Sequence, residues 1–441
     1  MYYRNNFFHI GHLKTLYDND RLAKLNNGIC YAVIDDRLDS KRIASIQEDF
    51  DYLELKHIKI ISVKSEHPKI IAYTFDLIRQ GHIYVYHCDE RITQPDKIIK
   101  IVTNPRIHIQ LRLNCGLEVN DPAIGYTNED ENGQLSLVLL FDFIIKVLDV
   151  LLGVACITNQ HDTCDVKDTH IAQFFDKIAN ITHHQLSTYH IYNFRYSKRG
   201  WEVDESNPYL LTIKGLKARH VPCKVLKAFY LHACQMKSIK IQFLATLLNK
   251  YLFKHSEHTL GVIKPIKVNI LNWTNKLTEY VCGPVNHNFS RNIKHYPLSD
   301  VMYVDTSDYG IEQMKINKGR TIPLIYGPSI KCMDINLQDH HKPELSVRVD
   351  FSTHAADTRK ITWISAAWDE QPCQVKFYLY NWFYTGFNNL LTPEVVEGYI
   401  DSGAFNDLDQ IYQIEHIGYF AYDRKLTAMN GVPTFMRICK I

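Results

Sequence analysis

The sequence is short of several things, and each shortage removes a class of protein. Net charge is nearly absent. Fifty basic residues face 48 acidic ones to give +2, so attraction to nucleic acid, if any, must come from local patches. The 11 cysteines are odd in number, scattered and without one Cys-x-x-Cys pair, which argues against a disulfide framework or a zinc ribbon. Reduced thiols in a cytoplasmic protein are the expectation. A long uncharged apolar run is missing too. Leu137 to Ile157 could span a bilayer by length, but Asp142, Lys146 and Asp149 interrupt it, and charges are costly in mid-membrane. It reads as a buried core segment. The opening MYYRNNFFHIGH has neither a long apolar stretch nor a small-residue cleavage site, so no secretory leader is expected. Internal repeats and low-complexity tracts are also lacking.

What is present is a folded chain of 441 residues, 46% hydrophobic and 22% charged. That length is too great for one ordinary core, so about two to four domains are expected. Residues 1 to about 85 alternate between helix and strand patterns. Gly11 to Leu25 has Leu13, Leu16 and Tyr17 on one helical face; Ile29 to Ile34 is a short apolar strand that ends at Asp35-Asp36. Lys41 to Leu53 reads as helix, Ile58 to Val63 as strand, Ile70 to Gln80 as helix and His82 to Tyr86 as strand. Regular alternation of this kind predicts a parallel sheet covered on both faces.

From 206 to 256 there is not one Asp or Glu, while nine basic residues occur, among them Lys214, Lys217, Arg219, Lys224 and Lys227. The stretch is helical in pattern and carries a positive field of its own. Beyond about 260 strand patterns take over. Leu345, Val347, Val349 and Phe351 alternate with polar residues, as do Val375, Phe377 and Leu379. Turn signals between such runs predict an antiparallel barrel or sandwich region.

The sharpest local signal is His9-Ile10-Gly11-His12 at the start of the first helix. Two imidazoles three positions apart sit there on one side of a helix N-terminus, and Gly11 lets a nucleotide approach the backbone. Such a site suits phosphate charge as it rises in a transition state. Much later comes Tyr196-Ser197-Lys198-Arg199-Gly200, a loop able to place an ammonium on the same phosphates. Another cluster, His161, Cys164 and His170 beside Asp162, Asp165 and Asp168, has spacings that fit no usual zinc pattern. A polar surface loop is expected there, and no metal site.

With these pieces in order, the chain resembles the glutaminyl-tRNA synthetases, class I enzymes of the glutamyl/glutaminyl family, from near its first residue to its last. His9 to His12 is similar to the family's first signature and Ser197 to Arg199 to its second. IDDRLDSKRIASIQEDFDYLEL (34–55) resembles the family's Asp-Asp strand end and following helix. Asp121-Pro122, Phe141-Asp142-Phe143 and NPYLLTIKGLKARHVP (207–222) resemble later segments. KITWISAAWDEQPCQVKFYLYNWF (360–383), LSDVMYVD (298–305) and HIGYFAYD (416–423) resemble the β-rich end, the last favouring the glutaminyl branch.

The resemblance implies an α/β class I catalytic domain of Rossmann type at 1–205, with a shortened acceptor-binding insertion at about 87–125. A basic helical stem-contact region at 206–260 and two anticodon-binding β-barrels at 261–441 would follow. It implies ATP as a substrate with Mg2+, glutamine, and a tRNA, in a cytoplasmic monomer with no membrane partner. His9, His12 and Lys198 would be catalytic, and Gly11, Ser197 and Arg199 would join them around ATP. Asp35 and Phe141 would contact the amino acid, and Lys214, Lys217, Arg219, Lys224, Lys227, Arg359 and Lys360 the tRNA.

Plainer roles stand beside two of these: Asp35 as a helix cap and Phe141 as core. Several positions depart from the family pattern. Arg4-Asn5-Asn6 stands where an Arg and a Pro-rich turn are usual, Val33 where an Arg is, Ile144-Ile145 where Thr-His is, and Tyr196 where Met is. Isoleucine offers no side-chain hydrogen bond, so that polar wall is lost. A tRNA-binding paralogue without aminoacylation, a glutamate ligase and a small nucleotidyltransferase are therefore the competing readings.

Overall fold

Five-residue apolar runs build the opening sheet. Cys30–Ile34 and Ile58–Ser62 lie parallel, with Cys30 opposite Ile58 and Ile34 opposite Ser62, and Tyr2–Tyr3 pairs parallel on the other side, opposite Val33 and Ile34. The computed structural model describes the chain apart from residues 1, 4–7, 38–40, 89, 118–119, 160–165, 186–189, 193–203, 205, 237, 275–276, 287–291, 306–317, 337–343, 351–359, 368–370 and 382–391. It divides into two compact units, Met1–His190 with His232–Ile239, and Ile191–Leu231 with Lys240–Ile441.

In the first unit, helix Leu13–Leu25 buries Leu13, Leu16 and Tyr17, the face expected from their spacing. Helix Arg42–Tyr52 buries Ile46 and Phe50. Burial of each such side chain stabilises by about 1.5–3 kcal/mol. The third helix begins earlier than its apolar spacing predicts, at Val63 instead of Ile70. Ser62 is the cause, because its hydroxyl accepts the Ser65 N–H at 3.0 Å and starts the helix ahead of Pro68.

Within the first unit the parallel pattern breaks off after these strands and returns, among the described residues, only where Cys156–Asn159 pairs with Thr182–Gln185. Ile83–His87, expected to extend it, instead pairs antiparallel with Glu90–Ile92 and Gln110–Leu113. Ala123–Glu129 and Leu135–Leu139 complete this second, five-stranded sheet. The turn explains the change. Only two residues separate His87 from its partner Glu90, and a link that short joins antiparallel neighbours alone. Cys88 takes the left-handed φ of +43° that a tight hairpin requires. The stretch at about 87–125 thus supplies two strands and the helix Pro95–Thr103.

The apolar window from 137 to 157 is a strand end followed by helix Phe141–Leu151. Phe143, Ile144, Val147 and Leu148 are fully buried in one core with Val63, Ile70 and Leu111. Lys146 and Asp149, two of the three charges that interrupt the window, pair at 3.4 Å. Among the described residues no helix is long and apolar enough to cross a membrane.

The acid-free stretch forms helices Ile213–Ala218, Cys223–Gln235 and Gln242–His255. Residues 232–239 of it belong to the first unit and its flanks to the second. The rest of the second unit is mainly β, with a further short α-helix at Arg424–Asn430. One sheet has seven strands in the order Glu257–Thr259, Ile411–Ile414, Gly418–Tyr422, Thr434–Cys439, Cys373–Leu379, Glu394–Ile400, Gly261–Val262. Another has six: Thr321–Pro323, Ser329–Asn336, Glu344–Asp350, Pro265–Ile270, Val301–Asp305, Trp363–Ser365. Each has its own core. Trp363, Val268 and Val304 fill one, Phe377, Phe420 and Phe435 the other. The alternating residues Leu345, Val347 and Val349, and Val375, Phe377 and Leu379, all point inward as expected. Asp305, at the end of LSDVMYVD, accepts the Ile263 N–H where the chain passes from one sheet to the other.

Candidate active site

His9 and His12 stand where the chain enters the first helix. His9 is extended, and one tighter turn, Ile10–His12, leads into Leu13–Leu25. The two side chains close that turn reciprocally. His9 Nδ1 accepts the Gly11 N–H at 3.0 Å, and His12 Nδ1 accepts the His9 N–H at 3.1 Å. This is a capping box with imidazoles in both places. The ring centroids are 3.9 Å apart, and Phe8 meets His12 edge-on at 5.7 Å while packing on Phe50.

That geometry fixes the chemistry of both rings. An Nδ1 that accepts a hydrogen bond holds no proton, so in the neutral ring the proton sits on Nε2. Burial depresses both groups. It brings His9 down to about 3, with the neighbouring His12 adding to the effect, and His12 down to about 4. The pair therefore offers two neutral Nε2–H donors of fixed tautomer.

The doubled aspartate at the end of Cys30–Ile34 splits its work. Asp36 is buried and structural. Its carboxylate accepts the Ser62 hydroxyl at 2.6 Å and the Lys64 N–H at 2.9 Å, tying one strand end to the start of the next helix. Asp35 is half-buried and holds a guanidinium instead. Arg37 donates from Nε to Oδ1 and from Nη2 to Oδ2, both at 2.8 Å. Its Nη1 donates to the Leu139 carbonyl at 2.9 Å. The hydrogen bond from Arg37 holds the Asp35 carboxyl below its usual range, against the opposing effect of burial. Sequence reading passed over Arg37, although an arginine two positions beyond a strand-end aspartate is within reach of it.

Other expected residues fall in varied places. Phe141 is a core residue, 6% exposed, beside Ile144 and Phe143. Lys217, Lys224 and Lys360 are exposed, and Lys214 and Lys227 half-buried. Arg219 is a correction: expected on a phosphate-facing surface, it is 0% exposed. Its guanidinium donates to the carbonyls of Ile438, Pro208 and Asn381, and it faces the rings of Tyr209 and Tyr380. It ties the first basic helix to the β region of its unit, so it is spent on the fold. Ser197, Lys198, Arg199 and Arg359 lie outside the described residues, as do His161, Asp162, Cys164 and Asp165. His170 is half-buried in helix Val166–Ala179.

Residues 5–106 match the catalytic domain of class I tRNA synthetases of the E and Q type. Along nearly the whole chain the sequence is similar to curated glutamine–tRNA ligases. The cytoplasmic one of Arabidopsis thaliana is 23% identical, with 95% of this chain and 62% of that protein aligned. That of Buchnera aphidicola is also 23% identical, with 98% and 92% aligned. The chain thus spans less than two thirds of the length of the Arabidopsis relative. Among solved structures, a glutamate tRNA ligase from Elizabethkingia meningosepticum covers 44% of this chain and 49% of its own at 12% identity and a TM-score of 0.31, too slight a likeness to add to this. With paired histidines at the helix entrance, the protein is similar along nearly its whole length to the glutamine–tRNA ligases, and at residues 5–106 to the class I synthetase catalytic domain.

Proposed function

We propose that the chain is a glutamine–tRNA ligase of the cytoplasm. It would activate glutamine with ATP, taken as its Mg2+ complex, and pass the aminoacyl group to the 3′-terminal ribose of a glutamine-specific tRNA. The observation that carries this reading is the reciprocal cap of His9 and His12, two neutral N–H donors held by one turn of backbone. In the first step a carboxylate oxygen of glutamine bonds to the α-phosphorus while the bond to the bridging oxygen breaks and pyrophosphate leaves. In the second the ribose hydroxyl bonds to the activated carbonyl carbon and AMP leaves. Neither step needs a protein nucleophile; both need positioning and stabilisation of growing negative charge.

His9 and His12 would supply donors to the phosphates, with Gly11 permitting close approach. Lys198, between Ser197 and Arg199, would bring a positive charge to the same group, an assignment that rests on the resemblance alone. Asp35 would receive the amino acid's ammonium, with Phe141 backing the pocket from the core. Exposed lysines of the acid-free stretch, Lys217 and Lys224 with Lys214 and Lys227, would contact tRNA phosphates, which position without reading sequence. Arg359 and Lys360 would serve the anticodon end. The three-part division at 1–205, 206–260 and 261–441, and a monomeric state, belong to the same proposal.

Two observations favour a second reading. The Asp35 carboxylate is already occupied and Ile144 and Ile145 are apolar core, which suits a tRNA-binding protein that has lost aminoacylation. Charging of glutamine tRNA with labelled glutamine or glutamate, by the natural chain and by Lys198→Ala, separates the two. Product from the natural chain that falls steeply in the variant supports the ligase. No product under any condition selects the binding protein, and undiminished charging by Lys198→Ala removes the assignment of that loop.

A further inference from the structure

Of the two carboxylates that close the strand Cys30–Ile34, one is structural and the other is held by a guanidinium. Ligands of open parallel sheets bind beyond the carboxyl ends of the strands, which is where Asp35 lies. Its side chain is 24% exposed and that of Arg37 28%, so a small molecule can reach both. The Arg37 fork is anchored at three points: both carboxylate oxygens of Asp35, and the carbonyl of Leu139 two residues before Phe141. A surface arginine loses much rotamer freedom when it pairs; this one spans only two residues and has its third anchor in the core sheet. It is therefore a standing occupant. Arg42, the other nearby cation, donates to the backbone carbonyl of Asp35, and its charge adds more weakly to that of Arg37 in favouring the ionised carboxylate.

The consequence is electrostatic. A bare strand-end carboxylate attracts an ammonium, whereas a carboxylate–guanidinium pair is neutral overall and presents a like charge to it. We propose that Arg37 is a built-in competitor for the substrate ammonium at Asp35: it masks the carboxylate at rest, and the amino acid binds by displacing it. Arg37 is thus a specificity-determining residue that keeps affinity for free amino acid low. The identity of the substrate rests on the ligase reading; the competition itself rests on the pair.

Calorimetric titration of the whole chain with glutamine, with glutaminol (which keeps the ammonium and lacks the carboxylate) and separately with ATP tests this. Arg37→Gln removes the charge and keeps an amide donor for the Leu139 carbonyl; Arg37→Ala serves as a second variant, with thermal melting to confirm folding. Both ligands are expected to bind Arg37→Gln about fivefold more tightly than the natural chain, the scale of a partly exposed ion pair. The gain should vanish when Asp35→Asn is added, which a merely structural role for Arg37 would not predict. Weaker glutamine binding with unchanged glutaminol binding would overturn the proposal and make Arg37 the ligand of the substrate carboxylate. Failure of both ligands to bind any of the proteins would overturn it as well. ATP binding in that case leaves the nucleotide half of the ligase reading standing, and its absence removes that too.

Discussion

The rings of His9 and His12, 3.9 Å apart, have no room between them for a second positive charge. Each Nδ1 is committed to a backbone N–H, so the useful group on each ring is a neutral Nε2–H. Asparagine at either position retains an acceptor for the cap and loses that donor. His9→Asn and His12→Asn should each slow glutamine-dependent ATP–pyrophosphate exchange by about 10²–10³, as loss of one transition-state donor does elsewhere. The folded state should survive both changes. Exchange within twofold of the natural chain would show that the rings do not touch the reacting phosphates.

The same rings predict a pH dependence with a definite sign. Both have folded values below the ordinary 6.5, about 3 for His9 and about 4 for His12. Below pH 6.5 the unfolded chain takes up protons that the folded chain refuses. The stability these groups contribute is therefore complete above about pH 6.5 and is lost progressively as pH falls toward 4 and then 3. Urea unfolding of the natural chain and of the double Asn variant, compared between pH 7 and pH 5, should show a shallower decline in the variant. Equal slopes would mean that the imidazoles titrate alike in the folded and unfolded states.

Arg219 and its lysine neighbours should behave as opposites. Removing Arg219 leaves the buried carbonyl of Ile438 and the part-buried carbonyls of Pro208 and Asn381 without their donor, so Arg219→Met should cost about 3–5 kcal/mol. Lys217→Ala and Lys224→Ala, at exposed positions, should change stability by less than about 0.5 kcal/mol. On the tRNA-binding reading each lysine change lowers affinity and reduces the salt slope by about 1. Filter binding across a salt series measures the second effect and denaturant titration the first. A stable Arg219→Met variant that merely binds tRNA less well would return Arg219 to the RNA surface.

How far these features were legible in the sequence follows from the range of each interaction. The faces of the early helices and the inward strand residues Leu345, Val347 and Val349 were legible, because burial imposes a period on nearby residues. His9 and His12 were legible as a pair because three positions bring two side chains to one helix end. The partner of Ile83–His87 was not, since periodicity says which face is buried and nothing of which strand lies alongside; the two-residue turn decided it. Arg219 misled for a related reason. A charge in a basic run looks solvated until a distant strand, here Thr434–Cys439, supplies carbonyls for it. Asp35 and Asp36 are identical as letters, and only Ser62 and Lys64, brought alongside by the parallel register, separate the structural one from the one that holds Arg37.

In the second unit, Tyr326 joins a buried histidine to a carboxylate. Its hydroxyl donates to Glu415 Oε1 at 3.0 Å, so the contact with His258 Nδ1 at 2.5 Å must have the imidazole as donor. The ring lies parallel to Tyr296 at 5.9 Å, and a methyl at Gly283 would strike it. Tyr326 itself sits at φ +59°, a conformation a side chain keeps only where its surroundings reward it. Burial, reinforced by Glu415, pushes the hydroxyl far above the usual tyrosine range, so it stays a donor at any workable pH. Tyr326→Phe preserves the ring and its stacking and deletes only the bridge; it should cost about 1–3 kcal/mol in urea unfolding. Tyr326→Ala removes the packing as well and should cost about 3–5 kcal/mol. The difference between the two variants isolates the ring from the hydroxyl. If Tyr326→Phe unfolds with the natural midpoint and slope, His258 and Glu415 satisfy each other directly across their 3.4 Å separation and the bridge contributes nothing.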